Sequence, residues 1–243
     1  MMFNFNKTVE IHCYTYNKFI ADNFCVQEMK TTRPSWFKNL PKKSEKKSTM
    51  KSCYGFINLF KKGFVLPFWS DIEITNTIEE LVVNCANQDT TNVLHHLNPN
   101  NSSAETLSTY HRHAQIQPPW VFTSDKPTEF AVVGASWDYI NNNLYDFHLP
   151  TGIIDFKYNN TINVQMLFPK PTGNQRQSNI IFKAGDPILY LIPLTEKKVK
   201  FITHNITRME YYDMIDNVDS KSHFFSNKYV RSRTYGYKGY MKE

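Results

Sequence analysis

A mainly β sandwich with a few peripheral helices is the fold class this sequence predicts, and three observations predict it. Short runs of β-forming residues recur from Gln117 onward, at 129–134, 145–149, 161–168, 179–183, 187–192 and 198–203, with turn residues between them. That spacing belongs to a sandwich or barrel. No helical patterns alternate with these runs, which disfavours a parallel α/β plan. Aromatic residues reach 15% of the 243, as 18 Phe, 14 Tyr and 4 Trp, and rings in that number need a core or a contact surface to cover them.

The clearest strand is the apolar run Ile188 to Ile192. Gly185, Asp186 and Pro187 set a turn before it: Gly tolerates positive φ, Asp can bond its own downstream backbone, and Pro presets φ near −65°. Pro193 ends the run by removing a ladder donor.

The remaining elements follow in chain order. Residues 8–14 alternate crudely and predict an opening strand. Pro34 and Pro41 bracket a one-turn helix whose Trp36, Phe37 and Leu40 can pack inward. Residues 42–47 are a lysine-rich exposed loop. A helix is expected over 51–62, with Cys53, Phe56, Ile57 and Phe60 at the spacing of one face. Lys61 and Lys62 suit its C-terminal dipole, and Gly63 is expected as a left-handed cap. Strands follow at 64–69 and 71–75, where Ile72 and Ile74 share a face, and again at 77–85. Residues 98–103 are loop by composition. A polar helical segment is expected over 207–225, breaking near Ser220, and then an extended basic tail. One domain, 1–243, accounts for the chain: a strand, short helix and basic loop over 1–48, the sandwich with one helix over 49–206, and the helical segment and tail over 207–243.

Four cysteines, Cys13, Cys25, Cys53 and Cys85, lie far apart without a C-x-x-C pair, which predicts buried or half-buried thiols in a reducing compartment. The net charge of +6 permits contact with nucleic acid or an acidic partner. It gathers at Lys42, Lys43, Lys46, Lys47 and Lys51 and again near the C-terminus. No apolar run approaches the length of a membrane span, and the opening residues carry no basic-then-apolar leader. No membrane role is expected.

The chemistry-bearing candidates are few. His111 and His113 stand at i and i+2, so on a strand both imidazoles point to one side and could bind one metal. A third ligand would come from His148, His204 or the pair His95 and His96. A jelly-roll holding iron in this manner would be an oxygenase. Asp71 and Glu73 share one strand face, as surface carboxylates commonly do. The nucleophile elbow, the P-loop, the zinc-protease helix and the dinucleotide fingerprint do not occur. In the tail, Arg231, Arg233, Tyr235, Tyr237, Lys238 and Tyr240 alternate rings with cations, a pattern suited to single-stranded nucleic acid or to a protein partner.

Two resemblances add to this reading. Gly185-Asp186 followed by Pro193 resembles the second motif of the cupin family, and His111-Arg112-His113 the first, which implies a cupin-like jelly-roll. Ala114 to Gln117 stand where that family has a glutamate, and Leu194 to Val199 where it has a histidine, so the family's metal chemistry is not implied. Across most of the chain, Trp36 to Pro41, Met50 to Ile57, Lys62 to Ile72, Pro119 to Phe122, Gly152 to Asp155 and Ala184 to Pro193 resemble, in one order, a family of uncharacterised phage and bacterial proteins. That resemblance implies a phage origin and a place in the infected host's cytoplasm or the virion, with no catalytic residue.

The expected function is a non-enzymatic accessory or structural module without a cofactor, acting through a protein partner or self-association. One alternative is an iron-dependent oxygenase using His111 and His113. The other is a nucleic-acid binder acting through its tail.

Overall fold

The structure, a computed structural model, describes residues 8–44, 47–86, 93–94, 110–135, 147–172 and 178–215. Strand β1 (Val9–Thr15) buries Val9, Ile11, Cys13 and Thr15 and turns His12 and Tyr14 the other way. Asn17 caps helix α1 (Lys18–Asn23), its side chain accepting from the Ile20 N–H. Short strand β2 (Gln27–Glu28) and helix α2 (Ser35–Asn39) follow. Short strands β3 (Lys43–Ser44) and β4 (Lys47–Ser48) pair where a loop was expected. A 3-10 turn at Met50–Ser52 leads into helix α3 (Tyr54–Lys62).

The later strands are β5 (Phe64–Pro67), β6 (Ile72–Asn76), β7 (Leu81–Cys85), β8 (Val93–Leu94), β9 (His111–Ile116) and β10 (Val121–Thr123). They continue with β11 (Glu129–Gly134), β12 (Gly152–Asp155), β13 (Val164–Pro169), β14 (Ser178–Phe182), β15 (Pro187–Pro193) and β16 (Val199–Asn205). The mainly β sandwich expected from the sequence is the observed class.

The principal sheets run β10-β1-β16, β12-β11-β15-β5-β2, β13-β9-β8 and β14-β6-β7. The β1 to β16 pairing is parallel, from Val9 beside Val199 to Thr15 beside Asn205, and joins the two ends of the described fold. One apolar core takes residues from all four sheets, including Ile11, Leu66, Ile74, Ile116, Phe130, Met166, Phe182 and Leu191. The rings of Phe122, Phe130, Phe156 and Phe201 tie the first sheet to the second. Phe147 lies between Phe168 and Phe182 and ties the third to the fourth.

Strand β15 reads as a continuous apolar run because both of its faces are covered. Leu189 and Leu191 enter the main core, and Tyr190 enters a second cluster with Met29, Phe37, Phe60 and Val65 beneath α2 and α3. Its turn has Gly185 at φ 93 and a bond from the Asp186 N–H to the Lys183 carbonyl, the pattern of a type II turn.

Helix α3 departs from its expected face. Phe60 is buried, with Phe56 and Leu59 packed against the second cluster, while Cys53 and Ile57 are exposed. Gly63 is extended, at φ −78 and ψ 162, and is not a left-handed cap. Residues 208–215 are helical. They open on a capping box in which Thr207 and Glu210 bond each other's backbone N–H groups. The rest of the expected 207–225 segment lies outside the described residues. No helix among the described residues is long and apolar enough to cross a membrane.

Candidate functional site

Strand alternation decides where the histidines go. On β9, Ala114 and Ile116 enter the core, so His111, His113 and Gln115 take the opposite face. Antiparallel β13 sets Leu167 opposite His113 and Pro169 opposite His111, and His148 bridges to Leu167 from the far side. His111 and His148 therefore come near each other, with ring centroids 6.2 Å apart.

His113 is already engaged: its Nε2–H is directed at the Gln165 side-chain oxygen. His204 lies on β16, in a different sheet, beside His12. Among the described residues no three His, Cys, Asp or Glu side chains group as a metal site. Of the six histidines considered from the sequence, His111, His113, His148 and His204 are described, and they divide between two sheets. His95 and His96, and the tail residues Arg231, Arg233, Tyr235, Tyr237, Lys238 and Tyr240, lie outside the described residues.

The Gln165 side chain leads to a cleft of about 300 Å³ between β12 and β13. The residues that line it include the core residues Ile162, Val164 and Leu189 and the carboxamide residues Asn159, Asn163 and Gln165. None of the residues lining it carries a charge. At Gly152, which lines it, an added Cβ would meet no atom within 4 Å. Because His113 occupies the Gln165 oxygen, the Gln165 amide N–H groups are the donors it can offer to an occupant. Strand β12 ends its sheet, so among the described residues its outer edge has no strand partner.

The carboxylates singled out from the sequence have structural partners. Asp71 accepts from the Lys183 ammonium at 2.8 Å and from the Ala184 N–H at 2.9 Å, which fastens the type II turn to the β5–β6 corner. The Lys183 bond first, and the backbone bond second, hold the Asp71 carboxyl below its ordinary value of 3.8. Glu73 accepts from Asn179 at 2.8 Å across β6 and β14. A depressed folded-state value means that Asp71 stabilises the fold above its unfolded value, and that this contribution is lost as pH falls through the lower folded one. In Asp71→Asn the slope of unfolding free energy against pH should be shallower below about pH 4 than in the parent chain. Denaturant titrations between pH 2 and 6 check it, and equal slopes would refute it.

Two other groups are displaced by burial. The Cys13 thiol is pushed well up, by desolvation first and by Cys25 second; this is an inert core thiol. Cys25 and Cys85 are half-buried and Cys53 is exposed, so the expected burial holds for three of the four. The Tyr211 hydroxyl is also raised, by burial first and then by Tyr16 and Tyr212. The Arg208 guanidinium lies 5.6 Å from the ring centres of both Tyr16 and Tyr212.

Sequence reasoning missed the cleft and His12. Gly152 carried no sign of an opening, because that depends on how far β13 stands from β12. His12 was legible as an outward strand residue, but its partner is 192 positions away. No family model matches the chain, and no curated protein matches it.

Proposed function

We propose that this chain is a non-enzymatic binding module of phage origin that takes an extended segment of a partner protein along the edge of β12. The observation that carries this reading is the meeting of that edge with the uncharged cleft. An edge strand offers outward N–H and C=O groups to an added strand, and pockets beside it choose side chains. Ile153 on this edge is 68% exposed. A peptide laid along 152–155 can drop an apolar side chain onto Ile162, Val164 and Leu189, while Asn159, Asn163 and Gln165 bond its amides.

The neutral lining favours main-chain amides over phosphate, since phosphate binding draws on Arg and Lys. The ordered motif resemblance supports the phage origin, and with it an accessory or structural role in the infected cell or the particle. A cupin-like jelly-roll is the scaffold that the Gly185-Asp186 and Pro193 motif supports, with the parallel β1 to β16 pairing as a departure from an all-antiparallel plan.

Selection of a random peptide display library on the full chain tests the reading. Gly152→Trp serves as counter-target, because a Cβ there meets no atom within 4 Å. Enriched peptides should alternate apolar residues and bind the variant at least about tenfold more weakly, the loss of roughly 1.4 kcal/mol. No enrichment, or equal capture by both proteins, sinks the proposal. Concentration-dependent sedimentation of the parent chain that the same variant abolishes would make the occupant a second copy and remove the foreign partner.

A further inference from the structure

Charge is segregated along this chain. Between Lys30 and Gly63 stand ten of its 28 Lys and Arg residues and, at Glu45, one of its 22 Asp and Glu residues. The whole carries +6, so the chain outside that span is net negative. Backbone and side-chain bonds fasten much of the span into one piece. The Lys42 carbonyl accepts from the Thr49 N–H at 3.1 Å and from the Ser52 hydroxyl at 2.8 Å, and the Lys51 ammonium donates to the Lys38 carbonyl at 2.6 Å. The end of α2, the β3–β4 hairpin and the start of α3 are thereby joined. Lys38, Lys42, Lys43 and Lys47 are exposed there, and Lys61 is exposed on the last turn of α3. Lys30 pairs with Glu28, Lys62 pairs with Glu196, and Arg33 lies over the Phe60 ring. Among the described residues the five exposed lysines have no carboxylate partner.

An apolar stripe crosses the same surface. Tyr54 is 76% exposed, Ile57 46% and Met50 39%. On α3, Tyr54, Ile57 and Lys61 follow the i, i+3, i+7 spacing of one face, turned from the Phe56, Leu59 and Phe60 side that packs in the second cluster. Nucleic acid would use the lysines, but it takes rings for its bases and Arg forks for its phosphates. Met50 and Ile57 would gain nothing from it. An anionic bilayer uses both halves of the pattern. Its surface potential attracts ammonium groups without asking for a fixed geometry, and apolar side chains on a helix at the interface enter the headgroup layer.

We propose that the face formed by the β3–β4 hairpin and α3 docks on the surface of a membrane rich in anionic lipids. Met50, Tyr54 and Ile57 enter the headgroup layer, and the five lysines lie among the lipid phosphates. The length that a spanning segment needs does not bear on a face that lies on the bilayer. Helix α3 packs on β15 and β2, and β2 is at the end of the five-stranded sheet opposite β12. The docking face and the β12 edge are therefore separate surfaces, and each can be tested without the other.

Co-sedimentation of the full chain with vesicles of phosphatidylcholine alone, and of phosphatidylcholine with an equal part of phosphatidylglycerol, decides the matter. Binding is expected to the anionic vesicles and not to the neutral ones, and it should weaken as salt is raised. Lys42→Gln/Lys43→Gln/Lys47→Gln should lower the partition coefficient on the order of 10²-fold. Tyr54→Gln/Ile57→Gln should lower it about tenfold, because the apolar insertion is lost. Arg231→Gln/Arg233→Gln/Lys238→Gln, in the basic tail, should bind as the parent does. Circular dichroism screens the variants for folding, and Lys38→Gln/Lys61→Gln takes the place of the triple lysine variant if that one does not fold. No sedimentation with anionic vesicles, equal sedimentation with both compositions, or unchanged binding in either patch variant would overturn the proposal. So would a loss in the tail variant as large as in the lysine variant. A single-stranded oligonucleotide that displaces the parent chain from the vesicles, and that the lysine variant fails to bind, would assign the patch to nucleic acid instead.

Discussion

Phe156→Ala is expected to cost about 3–5 kcal/mol of unfolding free energy, the range for removing a large buried ring. Phe156 follows the last residue of β12 and is 2% exposed. Its ring centre lies 4.7 Å from that of Phe122, 5.1 Å from Phe130 and 6.2 Å from Phe201. Phe122 and Phe201 belong to the β10-β1-β16 sheet and Phe130 to the five-stranded sheet, so this ring fills the junction between the two. Asp155 aims it there: the Asp155 carbonyl accepts from the Tyr158 and Asn159 N–H groups, and its carboxylate accepts from the Lys157 N–H, so the chain turns just beyond Phe156. Because the cavity would be walled by strands of two sheets, it cannot close by a local side-chain shift. Against a typical domain stability of about 5–15 kcal/mol the loss is large. Phe156→Leu keeps most of the volume and should cost well under half as much. Denaturant unfolding of both variants measures this, and a loss below about 1 kcal/mol for the alanine variant would show that the junction repacks.

How much of this was legible depends on whether a feature is local. The β15 strand was readable because its signals are neighbours: Gly185 for the positive φ, Pro193 for the stop, and five apolar residues between. The helical period of α3 was equally readable, but its buried face was not. The helix starts only at Tyr54, and the sheet beneath it selects Phe56, Leu59 and Phe60 in place of Cys53 and Ile57. Periodicity states that a face exists, and the neighbouring element decides which residues lie on it. The candidate sites follow the same rule. That His111 and His113 share a face follows from i, i+2 alone. The partnership of His204 with His12 requires the parallel pairing of β1 and β16, a long-range choice that no local pattern encodes. The cleft required the placing of β12 against β13, which belong to different sheets.

Gly63→Val is the second large effect expected, a loss of about 1–3 kcal/mol from overpacking. The reason is space and not conformation, since Gly63 has φ −78, which any residue adopts. A Cβ built there would lie 2.8 Å from the Leu59 carbonyl oxygen and would also run into the Met29 sulfur. The carbonyl cannot withdraw freely, because it accepts the Gly63 N–H at 2.8 Å and closes the end of α3. Met29 is buried at 1% exposure, and its own N–H is bonded to the Gly63 carbonyl at 2.9 Å. Two obstacles of different stiffness therefore meet the new side chain, and they can be separated. Met29→Ala placed on Gly63→Ala removes the flexible obstacle and leaves the rigid one. The double variant should then be less destabilised than the sum of the two single changes, but should stay below the parent chain. Full additivity would mean that Met29 already moves aside at no cost. A double variant as stable as the parent would mean that the Leu59 carbonyl yields, and with it the account of why α3 ends on a glycine.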